Sequence, residues 1–268
     1  MLTEQEKWFF DHHGFIRLQN VVSPEDILHM IELGNLWHDI AQTKVADLPA
    51  PLTSTSHTSD RSATIAHWIN HIHYADEVFQ RLVLNQEIMR VIIALTRGMP
   101  CLVDTALTRN FKTSDDIHFH ASGQNYGVEN GVPYAGFLNA GLSLVDVPEG
   151  TGFVCQPGSH KRNFEPPEIS IYEGPPTVFN VPVNAGDCVI FTEALYHGGR
   201  RWTEEAPRFT IFNRYVTDKG KHTSLPLEAY KHLIPDEIYE LEQAVVPGQR
   251  KRVVERLMGE IEGQESVK

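Results

Sequence analysis

Between Cys101 and Val216 the chain breaks into short apolar or alternating runs separated by Gly, Pro, Asn and Asp turns. Leu142-Ser143-Leu144-Val145, Gly152-Phe153-Val154-Cys155 and Phe209-Thr210-Ile211-Phe212 are among them. Runs this short read as strands rather than helices. The flanks have a different period. Leu2 to Asp11 carries Trp8, Phe9 and Phe10 on a predicted helix, followed by a short strand at Gly14-Phe15-Ile16-Arg17-Leu18. Ser23-Pro24-Glu25-Asp26 is a helix start, with Ser as N-cap, Pro in the first turn, an acidic third position, and Ile27, Met30 and Ile31 at helical spacing. Apolar residues from Asp76 to Arg97 predict two helical pieces broken near Asn85, with Gly98 and Pro100 ending the second. Leu48 to Ala63, rich in Pro, Ser, Thr and Asp, reads as an irregular loop. Helices return at Pro235–Val245 and Lys251–Ile261. The expectation is one domain over residues 1–268, with a helical N-terminal third (1–100), an all-β core (101–216) and C-terminal helices (225–262). Helices flanking consecutive strands fit a supported sandwich or barrel better than an alternating parallel fold.

Charge and cysteine usage exclude several function classes. Lys and Arg total 23 against 35 Asp and Glu, a net charge of −12, which disfavours a phosphate backbone or an anionic membrane as partner. The densest basic run, Arg250-Lys251-Arg252, reads as a solvated helix face. Cys101, Cys155 and Cys188 are widely spaced and form no C-x-x-C pair, so neither a disulfide framework nor a zinc ribbon is expected. The polar N-terminus carries no export signal and no apolar stretch approaches a bilayer span, so the expected location is cytoplasmic. The expected partner is a small molecule, not nucleic acid or membrane, and the oligomeric state is open.

Two segments carry candidate chemistry. In a strand, His118 and His120 of His118-Phe119-His120 point the same way and form a plausible metal clamp, although among 14 histidines such a pair also arises by chance. The second segment, Gly186-Asp187 followed by Cys188-Val189-Ile190-Phe191, leads to His197, flanked by Gly198 and Gly199, where backbone can approach a ligand closely.

These segments, the Asp11–Leu18 opening and the block from Glu149-Gly150-Thr151-Gly152-Phe153 to Gln156-Pro157-Gly158-Ser159-His160-Lys161 together resemble the phytanoyl-CoA dioxygenase family. So does an arginine, Arg208, eleven positions beyond His197. The resemblance implies a double-stranded β-helix (jelly roll, cupin-like) and an iron(II) centre of two histidines and one carboxylate with open positions for O2 and 2-oxoglutarate. It implies His197 as the distal histidine and Arg208 as the fork on the far carboxylate of 2-oxoglutarate, with Thr210 beside it on the same strand face. His160 is expected to hold a turn. Asn110, Lys112, Gln124, Tyr126 and Trp202 are positioned by sequence to touch cosubstrate or substrate, Asn110 and Gln124 being the candidates for 2-oxoglutarate. The Leu48–Ala63 loop and the stretch Gly123–Gly136 are the lid candidates.

The departure from the family lies at its His-x-Asp motif. If His118 is the proximal histidine, His120 replaces the carboxylate and His118, His120 and His197 form a three-histidine site, the favoured expectation. If His120 is proximal, Ser122 stands at the carboxylate position, as in relatives that place halide there. Asp115 and Asp116 precede the pair, and Glu129 lies too far along to reproduce the motif. The implied activity is oxidation, most simply hydroxylation, of a small molecule coupled to conversion of 2-oxoglutarate into succinate. The alternatives are halogenation or desaturation by the same centre, a three-histidine dioxygenase without 2-oxoglutarate, and a binding protein that has lost turnover.

Overall fold

The computed structural model describes residues 1–56, 67–123, 125–217, 225–246 and 248–265. Three local signals set the N-terminal helices. Helix α1 (Glu4–His13) starts with a reciprocal capping box between Thr3 and Glu6, and leads into strand β1 (Phe15–Leu18). Helix α2 (Pro24–Lys44) begins where the sequence puts it, the Ser23 side chain accepting from the Asp26 backbone N–H. Its interior Gly34 is tolerated for a packing reason, since a Cβ there would meet Leu107 and the Phe209 ring at 3.1 Å. Asn85 separates α3 (Glu77–Val83) from α4 (Gln86–Leu95) by capping α4 at the Ile88 N–H, and Gly98 takes a left-handed φ of 73°.

Between α2 and α3 lie β2 (Thr53–Ser56) and β3 (His67–Asn70), which corrects the expectation of a loop over Leu48–Ala63. Thr53-Ser54-Thr55-Ser56 has no apolar alternation because it is an edge strand, held by pairing with β3; positions 57–63 of that stretch lie outside the described residues. The N-terminal third is therefore not purely helical.

The β-core follows in order: β4 (Cys101–Asn110), β5 (Ile117–His120), the hairpin β6 (Tyr126–Glu129) and β7 (Val132–Ala135), and β8 (Phe137–Ser143). Then come β9 (Gly152–Cys155), β10 (Phe179–Asn180), β11 (Cys188–Thr192), β12 (His197–Arg200) and β13 (Arg208–Val216). Seven strands form the major sheet, in the order β1-β11-β8-β13-β4-β3-β2, and four form the minor sheet, β10-β9-β12-β5; all pairings are antiparallel. Without the hairpin, the eight strands from β4 to β13 pass back and forth between the two sheets, which is the double-stranded β-helix or jelly roll. After it come α5 (Leu227–Tyr230), α6 (Asp236–Glu242) and α7 (Arg252–Glu265). Among the described residues no helix is long and apolar enough to cross a membrane.

Alternation along β13 explains how one sheet serves both stability and site. Phe209, Ile211 and Tyr215 are buried against the helices, in a core shared with Met30, Phe79, Ile92, Leu241 and Leu257. Arg208, Thr210, Phe212 and Arg214 lie on the opposite face, toward the minor sheet, where Phe15, Cys155, Val189, Phe191 and Leu195 form a second, smaller core. Helices cover the outside of the major sheet, so its inner face is free to carry polar groups. Cys101, Cys155 and Cys188 are free buried thiols. Lys251 is not on a solvated face as the basic run suggested: it is largely buried and its ammonium donates to the Leu241 and Gln243 carbonyls at 2.8 Å, closing the end of α6.

Candidate metal and cosubstrate site

Strand β12 begins at His197, and the residues before it are fixed from two directions. The Tyr196 N–H donates to the Ser159 hydroxyl at 2.8 Å, and the Gln156 N–H donates to the Tyr196 carbonyl at 2.9 Å. The Gln156–His160 block thus holds the entry to β12. His160 itself is buried, with Nε2 3.2 Å from the Asp11 carbonyl and its ring edge-on to Tyr126. Asp187, the other recognisable motif residue, accepts from the backbone N–H of Asn20 and Asn184 and clamps the turn into β11.

His197 pairs with Cys155 on one side and His120 on the other. Its ring lies 4.2 Å from that of His120 and 4.7 Å from that of Phe191. In both imidazoles Nδ1 meets the backbone carbonyl two residues earlier, Leu195 at 2.8 Å for His197 and His118 at 3.0 Å for His120. A donated Nδ1–H leaves Nε2 with a free lone pair, the tautomer a metal needs. Burial lowers the His197 pKa, and the neighbouring His120 lowers it further while Glu193 opposes both, so the neutral, ligating form is favoured.

His118 is placed differently from the i, i+2 expectation. His120 opposes His197 but Ile117 opposes Gly199, so β5 fits one extra residue against β12, a bulge at His118-Phe119. Phe119 packs with Val154 and Ile171; His118 and His120 are both exposed, but among the described residues it is the His120 ring, not that of His118, that meets His197. The close approach behind this register is at Gly198, where a Cβ would lie 2.5 Å from the Ile117 carbonyl oxygen.

Sequence reasoning missed Glu193. It sits in the turn from β11 to β12, its side chain only 13% exposed, with Oε1 3.9 Å from His197 Nε2 and accepting from the Asn139 amide. The signal was present in the Gly186–His197 segment, but four positions of sequence do not reveal that the turn folds the carboxylate back over the imidazole. Among the described residues no three His, Cys, Asp or Glu side chains already converge into a ligating cluster.

Deeper in the barrel, Arg208 opposes Asn110 and donates from Nη2 to Asn110 Oδ1 at 3.2 Å. The residue keeps some surface, but its guanidinium is enclosed: Nε has no partner, Trp202 lies under it at 6.0 Å, and no carboxylate pairs with it among the described residues. Burial without a counterion pulls its pKa down to about 10, so it stays charged at neutral pH. Nη1 approaches Gly152, three residues along β9 from Cys155, the partner of His197; that separates the guanidinium from the imidazole pair by roughly 10 Å of strand. Thr210 shares this face, opposite Thr108 and Ser143. Two free imidazole nitrogens at one end and an enclosed cation at the other suit a metal ion and a dicarboxylate that reaches from it.

Residues 10–210 match the phytanoyl-CoA dioxygenase (PhyH) family. The chain belongs to the phytanoyl-CoA dioxygenase family. It is thereby an enzyme of the iron(II)- and 2-oxoglutarate-dependent oxygenase type. No curated protein matches the chain. Among solved structures, HygX from Streptomyces hygroscopicus with nickel and 2-oxoglutarate bound is similar at 21% identity and a TM-score of 0.65, over 81% of this chain and 87% of that one. The non-haem α-ketoglutarate-dependent epimerase SnoN from nogalamycin biosynthesis is similar at 16% identity and a TM-score of 0.58, over 80% of each chain. EctD from S. alaskensis with bound iron is similar at 19% identity and 0.59, over 80% of this chain and 76% of that one. These likenesses concern the fold.

The remaining sequence candidates separate into those near the site and those away from it. Asn110 and Trp202 contact Arg208, although the Trp202 indole N–H is committed to the Ala206 carbonyl. Lys112 is exposed and paired with Glu205. Tyr126 donates to the Asp11 carboxylate at 2.6 Å, and Arg97 stacks on Tyr134, so residues 126–135 form a docked hairpin rather than a free lid. Gln124 lies outside the described residues. Asp116 is taken up by the Tyr172 hydroxyl and the Arg201 N–H, and Glu129 by Arg97.

The bulge register makes a specific prediction. Gly198→Ala drives a methyl group into the Ile117 carbonyl, which is backbone and cannot turn aside. Displacing β5 should lower stability by about 1–3 kcal/mol and move His120 off His197. A thermal melt paired with an anaerobic iron(II) titration checks both; parental values in the two would remove the register argument.

Proposed function

We propose that this chain hydroxylates a small, polar organic molecule, using iron(II) held through His120 and His197 and 2-oxoglutarate anchored by Arg208. The observation that carries the reading is the enclosed, unpaired guanidinium of Arg208 on the barrel's inner face, a cation whose burial is costly unless an anion joins it. Bound iron supplies oxygen activation. The chain's own groups do the rest. The Leu195 and His118 carbonyls hold the imidazoles with Nε2 free, Phe153 and Phe191 wall off water beside His197, and Arg208 with Asn110 fixes the far carboxylate.

The choice of His120 over His118 rests on the β5–β12 register, which sets His120 against His197. Toward the other end of the inner face, Arg214 is paired with Asp104 and lies over Trp68, which stacks on Phe212. An aromatic face beside a charge pair suits a substrate with rings and polar substituents. HygX with hygromycin B bound and SnoN with nogalamycin RO bound are consistent with that class.

The testing experiment loads the protein anaerobically with iron(II) and 2-oxoglutarate, admits O2 and measures succinate. Slow succinate formation that stops on chelation is the expected result; no metal-dependent succinate would overturn the reading. Ser122, two residues after His120, supports a second reading, halogenation, because its side chain offers no anion. Chloride-dependent change in the iron(II) spectrum of the parent protein would favour it.

A further inference from the structure

We infer that Glu193 supplies the carboxylate ligand absent from position 122, completing a His120, His197 and Glu193 set; this rests on the iron reading of the site. The β5–β12 register makes His120 the residue opposite His197, and the position two beyond it is a serine. That position is nevertheless bound to Glu193, because the Ser122 N–H donates to the Glu193 carbonyl at 2.7 Å. The Glu193 N–H in turn donates to the Phe137 carbonyl at 3.0 Å, so the backbone of Glu193 is pinned on both sides, next to the place the motif carboxylate would occupy.

The side chain then reaches inward. Its Oε1 lies 3.9 Å from the Nε2 that His197 keeps free, and Asn139 on β8 donates to the same oxygen. Glu193 is mostly buried, yet among the described residues no lysine or arginine pairs with it; its single neighbour of that kind is the His197 imidazole. A buried carboxylate facing the His197 Nε2 lone pair has no cation among the described residues unless a metal supplies one. Two donors at roughly 2.1 Å from one ion and at a right angle are about 3 Å apart, so a side-chain adjustment of about 1 Å closes the set. The longer glutamate compensates for an origin on a different turn. An anionic ligand gives the centre the charge of the ordinary two-histidine, one-carboxylate site and fills the position that a halide would otherwise take.

The test uses the full chain and cobalt(II), titrated anaerobically and followed by its visible absorption. His197→Ala should abolish binding. Glu193→Gln keeps the acceptor for Asn139 and loses the anion. It should weaken cobalt by more than about 100-fold, beyond the roughly 10- to 100-fold that losing an outer contact costs, and change the absorption spectrum. Adding Ser122→Asp to Glu193→Gln should restore most of the affinity, and chloride should perturb the Glu193→Gln spectrum but not the parental one. Parental affinity and spectrum in Glu193→Gln, with binding lost in His197→Ala, would overturn the inference and leave the iron reading standing. Loss of binding in His118→Ala with Glu193→Gln unaffected would replace it with the three-histidine set. A parent that binds neither cobalt nor iron would remove both inference and reading.

Discussion

In an anaerobic iron(II) titration, His197→Ala should show no saturable binding, whereas His160→Ala should bind iron with a dissociation constant within about three-fold of the parent. The two histidines are both buried and belong to neighbouring motif segments, but their nitrogens are committed differently. His197 spends Nδ1 on the Leu195 carbonyl and keeps Nε2 free toward His120 and Glu193. His160 spends Nε2 on the Asp11 carbonyl, and its buried Nδ1 is packed against Gly14, where a Cβ would come within 2.7 Å. Replacing His160 should therefore cost about 1–3 kcal/mol of stability while leaving the metal alone. It should also change the acid limb of stability. Burial holds the His160 pKa at about 4, below the ordinary 6.5, so the unfolded chain binds the proton first and stability falls as pH drops from 6.5 toward 4. His160→Ala should flatten that slope, read from thermal melts across the range. Parental iron affinity in His197→Ala would end the assignment of the centre.

The contrast shows what the sequence makes legible. Local signals were sufficient for the helix starts at Ser23 and Asn85 and for the strands that alternate, because caps and period are properties of neighbouring residues. The jelly roll itself was legible only through the motif blocks. β2 was hidden because Thr53–Ser56 is an edge strand whose order comes from β3, not from its own side chains. The ligand pair was read with both histidines equivalent, since an unbroken strand puts i and i+2 on one face. The bulge that accommodates His118 and Phe119 against Gly198 breaks that equivalence, and it depends on a backbone contact with a strand far away in the sequence. Glu193 was illegible for the same reason. Its approach to His197 depends on a turn, and its link to position 122 on a bond between two loops. Arg208 was legible from its spacing to His197, but its lack of a counterion emerges only from the packed barrel.

That missing counterion makes Arg208 the residue whose loss should most selectively affect the cosubstrate. Arg208→Ala should weaken 2-oxoglutarate by about 30-fold or more, equivalent to roughly 2 to 5 kcal/mol for a buried charge-assisted contact, while iron(II) affinity changes little. The separation follows from the roughly 10 Å of strand between the guanidinium and the imidazole pair. Folding need not suffer, since among the described residues the wild-type charge is buried with only the Asn110 side-chain oxygen to meet it, and removing it relieves that cost. A melting temperature equal to or above the parent's is the accompanying expectation. Arg208→Lys should recover only part of the affinity, because an ammonium cannot present two parallel N–H groups to one carboxylate, nor keep the Asn110 contact while doing so. Asn110→Ala should sit between parent and Arg208→Lys, since it frees the fork without discharging it. Calorimetric titration of 2-oxoglutarate into the iron-loaded, anaerobic variants orders the four proteins. If Arg208→Ala bound 2-oxoglutarate as the parent does, the enclosed cation would have another anion to meet, and the cosubstrate would be held elsewhere.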